Sequence, residues 1–237
     1  MNQKRRLFIK QGSSLLATGL LLPKEIPFSI LKNAPNETIR IGVIGTGDRG
    51  QGLMKILMSI KNIDLVALCD TLDFRLNAAA VIAPKAKKYK NYKALLAHKD
   101  LDAVIISTPL NTHATIASAA IDAGLHIYCE KTMVKGDEET LKLYDKLKTH
   151  NNKIFQTGHQ YHSSRLYAHL VEMIQSGEIG VVSAVHAQWN RNGNWRRPVP
   201  DPKFERQVNW RMYREYSYGL TAELSSHQID FCNWFMD

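Results

Sequence analysis

Cysteine is scarce: the 237 residues include three, too few for a disulfide framework and in no spacing that resembles a zinc site. Cys69 and Cys129 end apolar, strand-like runs and Cys232 falls in an apolar helical pattern, so all three are expected to be buried thiols. No apolar run approaches the roughly 20 residues that a membrane-spanning helix needs. The run Leu15–Leu22 is cut short by Pro23, so no permanent membrane anchor is expected. Internal repeats and low-complexity tracts are absent, which excludes solenoids and disordered arrays. With 44% hydrophobic and 22% charged residues, the chain can bury the core of one large or two ordinary domains.

Acidic residues are nearly missing from the start of the chain. Residues 1–36 hold six Lys or Arg against one acid, so this stretch contributes +5 of the formal net charge of +9 and leaves +4 for the rest. Beyond it, Lys85, Lys87, Lys88 and Lys90 form a single basic cluster. A solvated face explains that cluster better than a nucleic-acid surface, and no nucleic-acid partner is expected. The leader itself, Lys4-Arg5-Arg6-Leu7-Phe8-Ile9-Lys10 followed by Leu15–Leu22, has the charged and apolar regions of an export signal. It resembles a twin-arginine signal through the Arg pair, Phe8 and Lys10, with Lys4 and Ile9 in place of the usual Ser or Thr and Leu. The resemblance implies the twin-arginine export machinery as a partner and a periplasmic or otherwise exported location; the alternative is an accidental basic start on a cytoplasmic enzyme.

The run Ile41-Gly-Val-Ile-Gly-Thr-Gly-Asp-Arg-Gly50 is an apolar strand feeding a glycine triplet, with an amphipathic segment after it. Gly45 permits a tight turn, Gly47 lets backbone approach a pyrophosphate, and Gly50 lets the next helix pack closely with its N-terminus facing the anion. The loop residues Gly45, Thr46, Gly47, Asp48, Arg49 and Gly50 are the candidate phosphate cradle. Asp70 closes a second apolar run about 20 residues further on. A carboxylate there accepts hydrogen bonds from the adenosine ribose and repels a 2′-phosphate, which favours NAD over NADP.

From Thr38 the chain alternates strand and helix periods, which predicts an α/β fold with a doubly wound parallel sheet. Strands are expected near Ile39–Ile44, Leu65–Cys69, Ala103–Ser107, His126–Glu130 and Ile154–Gly158. Helices are expected near Gln51–Ile60, Asp73–Ala83, Thr112–Ala123, Asp137–His150 and Ser164–Ser176. A turn at Gly177–Gly180 then leads to an alternating strand over Val181–Trp189. The expected organisation is a leader and linker over residues 1–36, a dinucleotide-binding domain over 37–158, and the start of an α+β second domain over 159–237. Because the sequence stops inside the apolar pattern at Phe231–Asp237, without a helix stop signal, a longer protein is expected.

Four blocks together resemble the Gfo/Idh/MocA family, the glucose-fructose oxidoreductases and inositol dehydrogenases. They are the glycine loop with Asp70, Ser107-Thr-Pro-Leu-Asn-Thr-His113, Ala123-Gly-Leu-His-Ile-Tyr-Cys-Glu-Lys131 and Glu223-Leu-Ser-Ser-His-Gln-Ile-Asp230, and they span most of residues 38–237. The resemblance places Lys131 beside the nicotinamide, with Thr132 where the family has proline. It makes Glu223 and His227 the acid-x-x-x-His catalytic pair, with Glu in place of the commoner Asp. It also places Glu130 with the cofactor contacts, His159, Tyr161 and His162 along the cleft, and Asp230 near the substrate. A homo-oligomer through the second domain's sheet is a further family expectation.

The chemistry can be argued from the residues too. Oxidising a sugar hydroxyl needs a hydride acceptor, a base and a positive group near the oxygen; NAD, His227 and Lys131 fill these places. On a helix Glu223 and His227 share a face, so the carboxylate would fix the imidazole tautomer. Taken alone, His227 fits a helix N-terminal residue bonding locally, and Lys131 a surface lysine after a strand. Thr108, Pro109 and Asn111 end a strand at the cleft, while His113 is equally suited to cap the following helix. The loop bearing Trp195 and Arg196 combines flat aromatics with bidentate donors, which suits a carbohydrate or an oligomer interface. No metal is expected. The leading expectation is an exported oxidoreductase that acts on a sugar or glycoside with tightly bound, recycled NAD. Alternatives are an NAD-dependent glycosidase working through transient oxidation at carbon 3, and a non-catalytic sugar- or nucleotide-binding module.

Overall fold

The computed structural model describes residues 38–236 apart from 151 and 191; the leader and linker, residues 1–36, lie outside the described residues. Six parallel strands form one sheet: β1 (Ile39–Ile44), β2 (Ile63–Cys69), β3 (Lys87–Tyr89), β4 (Ala103–Ile106), β5 (His126–Cys129) and β6 (Phe155–Thr157). Their spatial order, β3-β2-β1-β4-β5-β6, is the doubly wound dinucleotide-binding order. The central strand β1 is bonded on both sides, with Ile41 opposite Leu65 and Ile44 opposite Ile106. Strands covered on both faces read as continuous apolar runs, and Val43, Ile44, Val104 and Ile106 are all buried to 2% or less.

Helices close both faces. On one, α1 (Asp48–Leu57) and α2 (Asp73–Ile82) place Met54, Leu76 and Ala79 against Ile41, Val43, Leu65 and Ile105. On the other, α4 (His113–Asp122) and α5 (Asp137–Thr149) place Ile116, Ala117, Ala120 and Leu143 against Val104, Ile106 and Ile127, with α3 (Tyr92–Leu96) contributing Leu95. The acidic first turn and basic last turn of α5 oppose its dipole.

Several elements differ from the sequence expectation. Helix α1 starts at Asp48, inside the glycine triplet, because the loop itself initiates the helix. It ends at Leu57 because the apolar residues that prolong the pattern, Met58 and Ile60, are exposed. The basic cluster contains a sheet edge: Lys87 and Lys88 belong to β3, where exposed lysines discourage edge-to-edge pairing. Cys69 and Cys129 are buried, but Cys232 is only partly so.

After β6, helix α6 (Arg165–Gln175) leads into extended chain rather than the expected strand. Residues Val181–Trp189 pair with nothing in a sheet among the described residues, and Val181 is 96% exposed. Alternation specifies a strand only where a partner supplies the ladder. The chain then passes a short helical turn, Glu205–Val208, and a π-helical turn, Thr221–Ser225, into α7 (Ser226–Met236). No helix among the described residues is long and apolar enough to cross a membrane.

Candidate active site

The glycine loop joins β1 to α1 in a shape that depends on Gly45 and Gly50. Gly45 has a φ of +91°, and a Cβ there would stand 2.6 Å from the Ser107 carbonyl carbon. A Cβ on Gly50 would lie 2.1 Å from the Gly45 oxygen, so helix α1 sits directly on the turn. The Ser107 hydroxyl donates to the same oxygen at 2.6 Å. Gly47 caps α1 without any side-chain bond, which leaves the first N–H groups of the helix for an anion.

Asp70, at the carboxyl end of β2, is 8% exposed. Its carboxylate accepts from the Thr46 N–H at 2.8 Å, the Thr46 hydroxyl at 3.3 Å and the Leu72 N–H at 2.9 Å. These bonds hold it at the cleft, which it lines together with Gly45, Gly47, Thr108, Pro109 and Asn111. Thr46 is fully buried and serves Asp70 rather than the cleft; Gly50 likewise packs rather than lines. Arg49 and Glu130 engage one another at 2.7 Å, and Arg49 also donates to the side-chain amide oxygen of Gln160 at 3.4 Å. Gly158 makes room for this pair, since a Cβ there would meet Glu130 Oε1 at 2.9 Å. Asp48 stands at the rim, 3.5 Å from Arg197.

The same cleft, about 1250 Å³ in volume, continues from the glycine loop to Lys131, Glu223 and His227. The Lys131–Thr132 peptide is cis. Lys131 Nζ donates to the backbone carbonyl of Glu223, and burial lowers its pKa against the raising influence of the Glu223 carboxylate. His227 is 6% exposed, makes ring contacts with His159, Tyr161 and Trp189 at 5.4 to 5.8 Å, and has a buried Nδ1 without a hydrogen-bond partner. Burial, then the Lys131 and His159 charges, push its pKa down to about 4. The imidazole is therefore neutral at neutral pH and has a nitrogen to offer a ligand.

Glu223 does not orient His227. Its carboxylate accepts from Arg211 Nε at 2.9 Å and from the Ser217 hydroxyl at 2.8 Å. Those donors, on a segment that sequence spacing does not bring near, take both oxygens. His162 and Asp230 bond each other at 3.0 Å, with His159 3.7 Å from the same carboxylate, and none of the three lines the cleft. Tyr161 stacks on Tyr167 with ring centroids 4.4 Å apart, and Arg196 pairs with Glu205 instead of facing a substrate. Trp195 does line the cleft, beside Asn192, Asn194 and Arg197. His113 caps nothing; its ring is buried between two loops. Among the described residues, no group of His, Cys, Asp or Glu could hold a metal ion.

Residues 39–159 match the sequence model described as the oxidoreductase family with an NAD-binding Rossmann fold, and residues 167–237 match the Gfo/Idh/MocA C-terminal domain. The chain belongs to the Gfo/Idh/MocA family. Among its curated relatives, the inositol 2-dehydrogenase of Salmonella typhimurium is 26% identical over 202 residues, covering 84% of this chain and 55% of that protein. A glycosyl hydrolase family 109 protein of Stenotrophomonas maltophilia is 38% identical over 138 residues, covering 54% and 29% respectively. The solved scyllo-inositol dehydrogenase of Lactobacillus casei, with NAD(H) and scyllo-inositol bound, superposes with a TM-score of 0.66 at 23% identity, covering 84% of this chain and 56% of that one. A 3-ketoreductase of Actinomadura kijaniata in complex with NADP gives 0.54 at 22% identity, covering 61% and 46%. The chain spans about half the length of the first curated relatives it matches.

As in the family, the residues fit a dinucleotide. The glycine turn, the uncapped helix and the fixed Asp70 supply the cradle, and the buried Asn111 Oδ1, which has no partner, points to a missing polar contact. Sequence reasoning missed Arg211, Ser217 and Gln160 at this site. Arg211 lies in Trp210-Arg-Met-Tyr-Arg214, where aromatic and basic residues alternate closely, and its guanidinium sits 4.2 Å over the Trp210 ring. Nothing local marked Ser217.

Proposed function

We propose that the protein is an NAD-dependent oxidoreductase acting on a CH–OH carbon of a sugar or polyol. The observation that carries this reading is His227, a buried neutral imidazole with an unpartnered Nδ1, in one cleft with Lys131 and the glycine loop. NAD held at that loop would supply the hydride acceptor for the substrate carbon. The unpartnered Nδ1 of His227 is free to take the hydroxyl proton when the ring's own hydrogen is on Nε2. Lys131, with one N–H given to the Glu223 carbonyl, keeps two for the reacting oxygen. Glu223 holds Arg211 and Ser217 in place, and through its backbone it holds Lys131. Trp189, Trp195 and Trp210 offer flat faces to sugar C–H surfaces.

The basic leader supports twin-arginine export of the folded protein, and export would favour NAD that stays bound and is recycled in each turnover. The likeness to a glycosyl hydrolase family 109 protein favours a second reading, in which transient oxidation at carbon 3 permits elimination of the glycosidic group and the cofactor is restored. Near-ultraviolet absorbance of the full-length protein with NAD, read while sugars and glycosides are added and products assayed, separates the two. Lasting reduction with an oxidised sugar establishes the dehydrogenase, and released aglycone without lasting reduction establishes the glycosidase. Failure to bind nicotinamide dinucleotide refutes both. Turnover that survives in Lys131→Ala and His227→Ala would remove the roles assigned to these residues.

A further inference from the structure

His113 has no part in that chemistry, although its position connects most of it. The ring is 2% exposed at the first residue of α4. Nε2 lies 2.9 Å from the Thr108 carbonyl oxygen, on the loop after β4 that lines the cofactor cleft. Nδ1 lies 2.9 Å from the Thr132 carbonyl oxygen, on the loop after β5 that carries Lys131. From Thr132 the connection runs on, because its hydroxyl donates to the Ala222 carbonyl at 2.7 Å while Lys131 Nζ donates to the Glu223 carbonyl. Both of those carbonyls sit in the π-helical turn that opens directly into α7 and His227.

A backbone carbonyl only accepts, so the ring must donate to hold either loop. Burial lowers the pKa of the ring overall, against the raising influence of the two carbonyls and then of the Glu130 and Glu223 carboxylates, so the neutral ring gives its one N–H to one carbonyl at a time and only the imidazolium donates to both. In either state the rigid ring spans a fixed distance that a flexible amide cannot reproduce.

We propose that His113 is a positioning residue: a strut between Thr108 and Thr132 that sets Lys131 against the cofactor loop and, through Thr132, registers the turn leading to His227. The proposal rests on the assignment of Lys131 and His227 to the substrate hydroxyl.

The test uses His113→Gln and His113→Ala in the full-length protein, each below its thermal midpoint. Four quantities are read: NAD affinity, kcat, KM, and backbone hydrogen exchange over residues 131–134 and 221–227, with 39–44 as control. The strut predicts exchange at least about tenfold faster in both segments and little change in the control. It predicts kcat about 100-fold lower, as expected for a displacement near 1 Å, with NAD affinity and KM within about threefold. His113→Gln, which keeps one donor, should fall between parent and His113→Ala, and Thr132→Val should add nothing to exchange at 221–227 in the His113→Ala background. If exchange at 221–227 stays at the parent's rate in His113→Gln while the thermal midpoint falls, the ring only fills space and the proposal is overturned. If the parent turns over no sugar, the functional reading fails on its own, and the exchange result still decides the strut.

Discussion

Replacing Gly50 with alanine tests the glycine loop most directly, because the obstacle is backbone rather than a movable side chain. The new Cβ would stand 2.1 Å from the Gly45 oxygen, 2.9 Å from Ser107 Oγ and 3.1 Å from the Gly45 carbonyl carbon. Carbon–oxygen contacts relax near 3.3 Å, so about 1 Å must open between α1 and the turn. The turn cannot yield, since Gly45 is itself wedged against Ser107 and held by its hydroxyl. Helix α1 must therefore back away, at a cost of about 2–3 kcal/mol by comparison with overpacked cores. For a chain of this length that lowers the thermal midpoint by about 4–12 °C. NAD affinity, measured by calorimetric titration, should fall about 100-fold as the helix N-terminus leaves the phosphates. Gly47→Ala is the control: its Cβ would meet only the tip of Arg75, at 3.4 Å, and its φ of −70° suits alanine. That variant should melt like the parent but lose NAD affinity by crowding the pyrophosphate. A Gly50→Ala protein that melts and binds NAD as the parent does would refute the packing argument, and normal NAD binding by Gly47→Ala would refute the cradle.

Because burial holds the His227 pKa near 4, kcat/KM should stay level from pH 8 down to about 5 and fall only near 4; a fall centred near 6.5 would show a solvated ring. The same shift affects stability. The folded state disfavours the charged ring, so stability is full above about 6.5 and is lost as pH falls to about 4, by roughly 3 kcal/mol in all; urea unfolding at pH 7 and pH 4 in His227→Gln and parent checks it. Glu223→Gln should weaken the grip on the partly exposed Arg211, destabilise by about 1–2 kcal/mol and leave that acid limb where it is, since the carboxylate makes no bond to His227. A shifted limb would restore the orienting role. Arg49→Ala leaves the Glu130 carboxylate with the Tyr128 hydroxyl alone at 3.2 Å, so chemical denaturation should show a loss of about 1–3 kcal/mol, most of it recovered in the double variant with Glu130→Gln.

Some features are local, and the sequence carries them in full. Buried parallel strands announce themselves as apolar runs, the glycine triplet as a turn, and Asp70 as the end of β2; each depends on residues within one βα unit. The place of Lys131 beyond β5 follows from that grammar, whereas the edge strand β3, read from the sequence only as a basic cluster, does not. What tertiary structure decided were contacts between different elements, whether a few residues or more than 60 apart in sequence. Arg211 and Ser217 reach Glu223 before His227 can, Arg49 crosses to Glu130, and His162 turns to Asp230. The extended chain at Val181–Trp189 shows the same limit, because a strand needs a partner that its own alternation cannot supply. Periodicity reports which face of an element is apolar, whereas hydrogen bonds and ion pairs go to whichever donor the fold brings within about 3 Å. For Glu223 that donor belongs to a neighbouring segment rather than to its own helix.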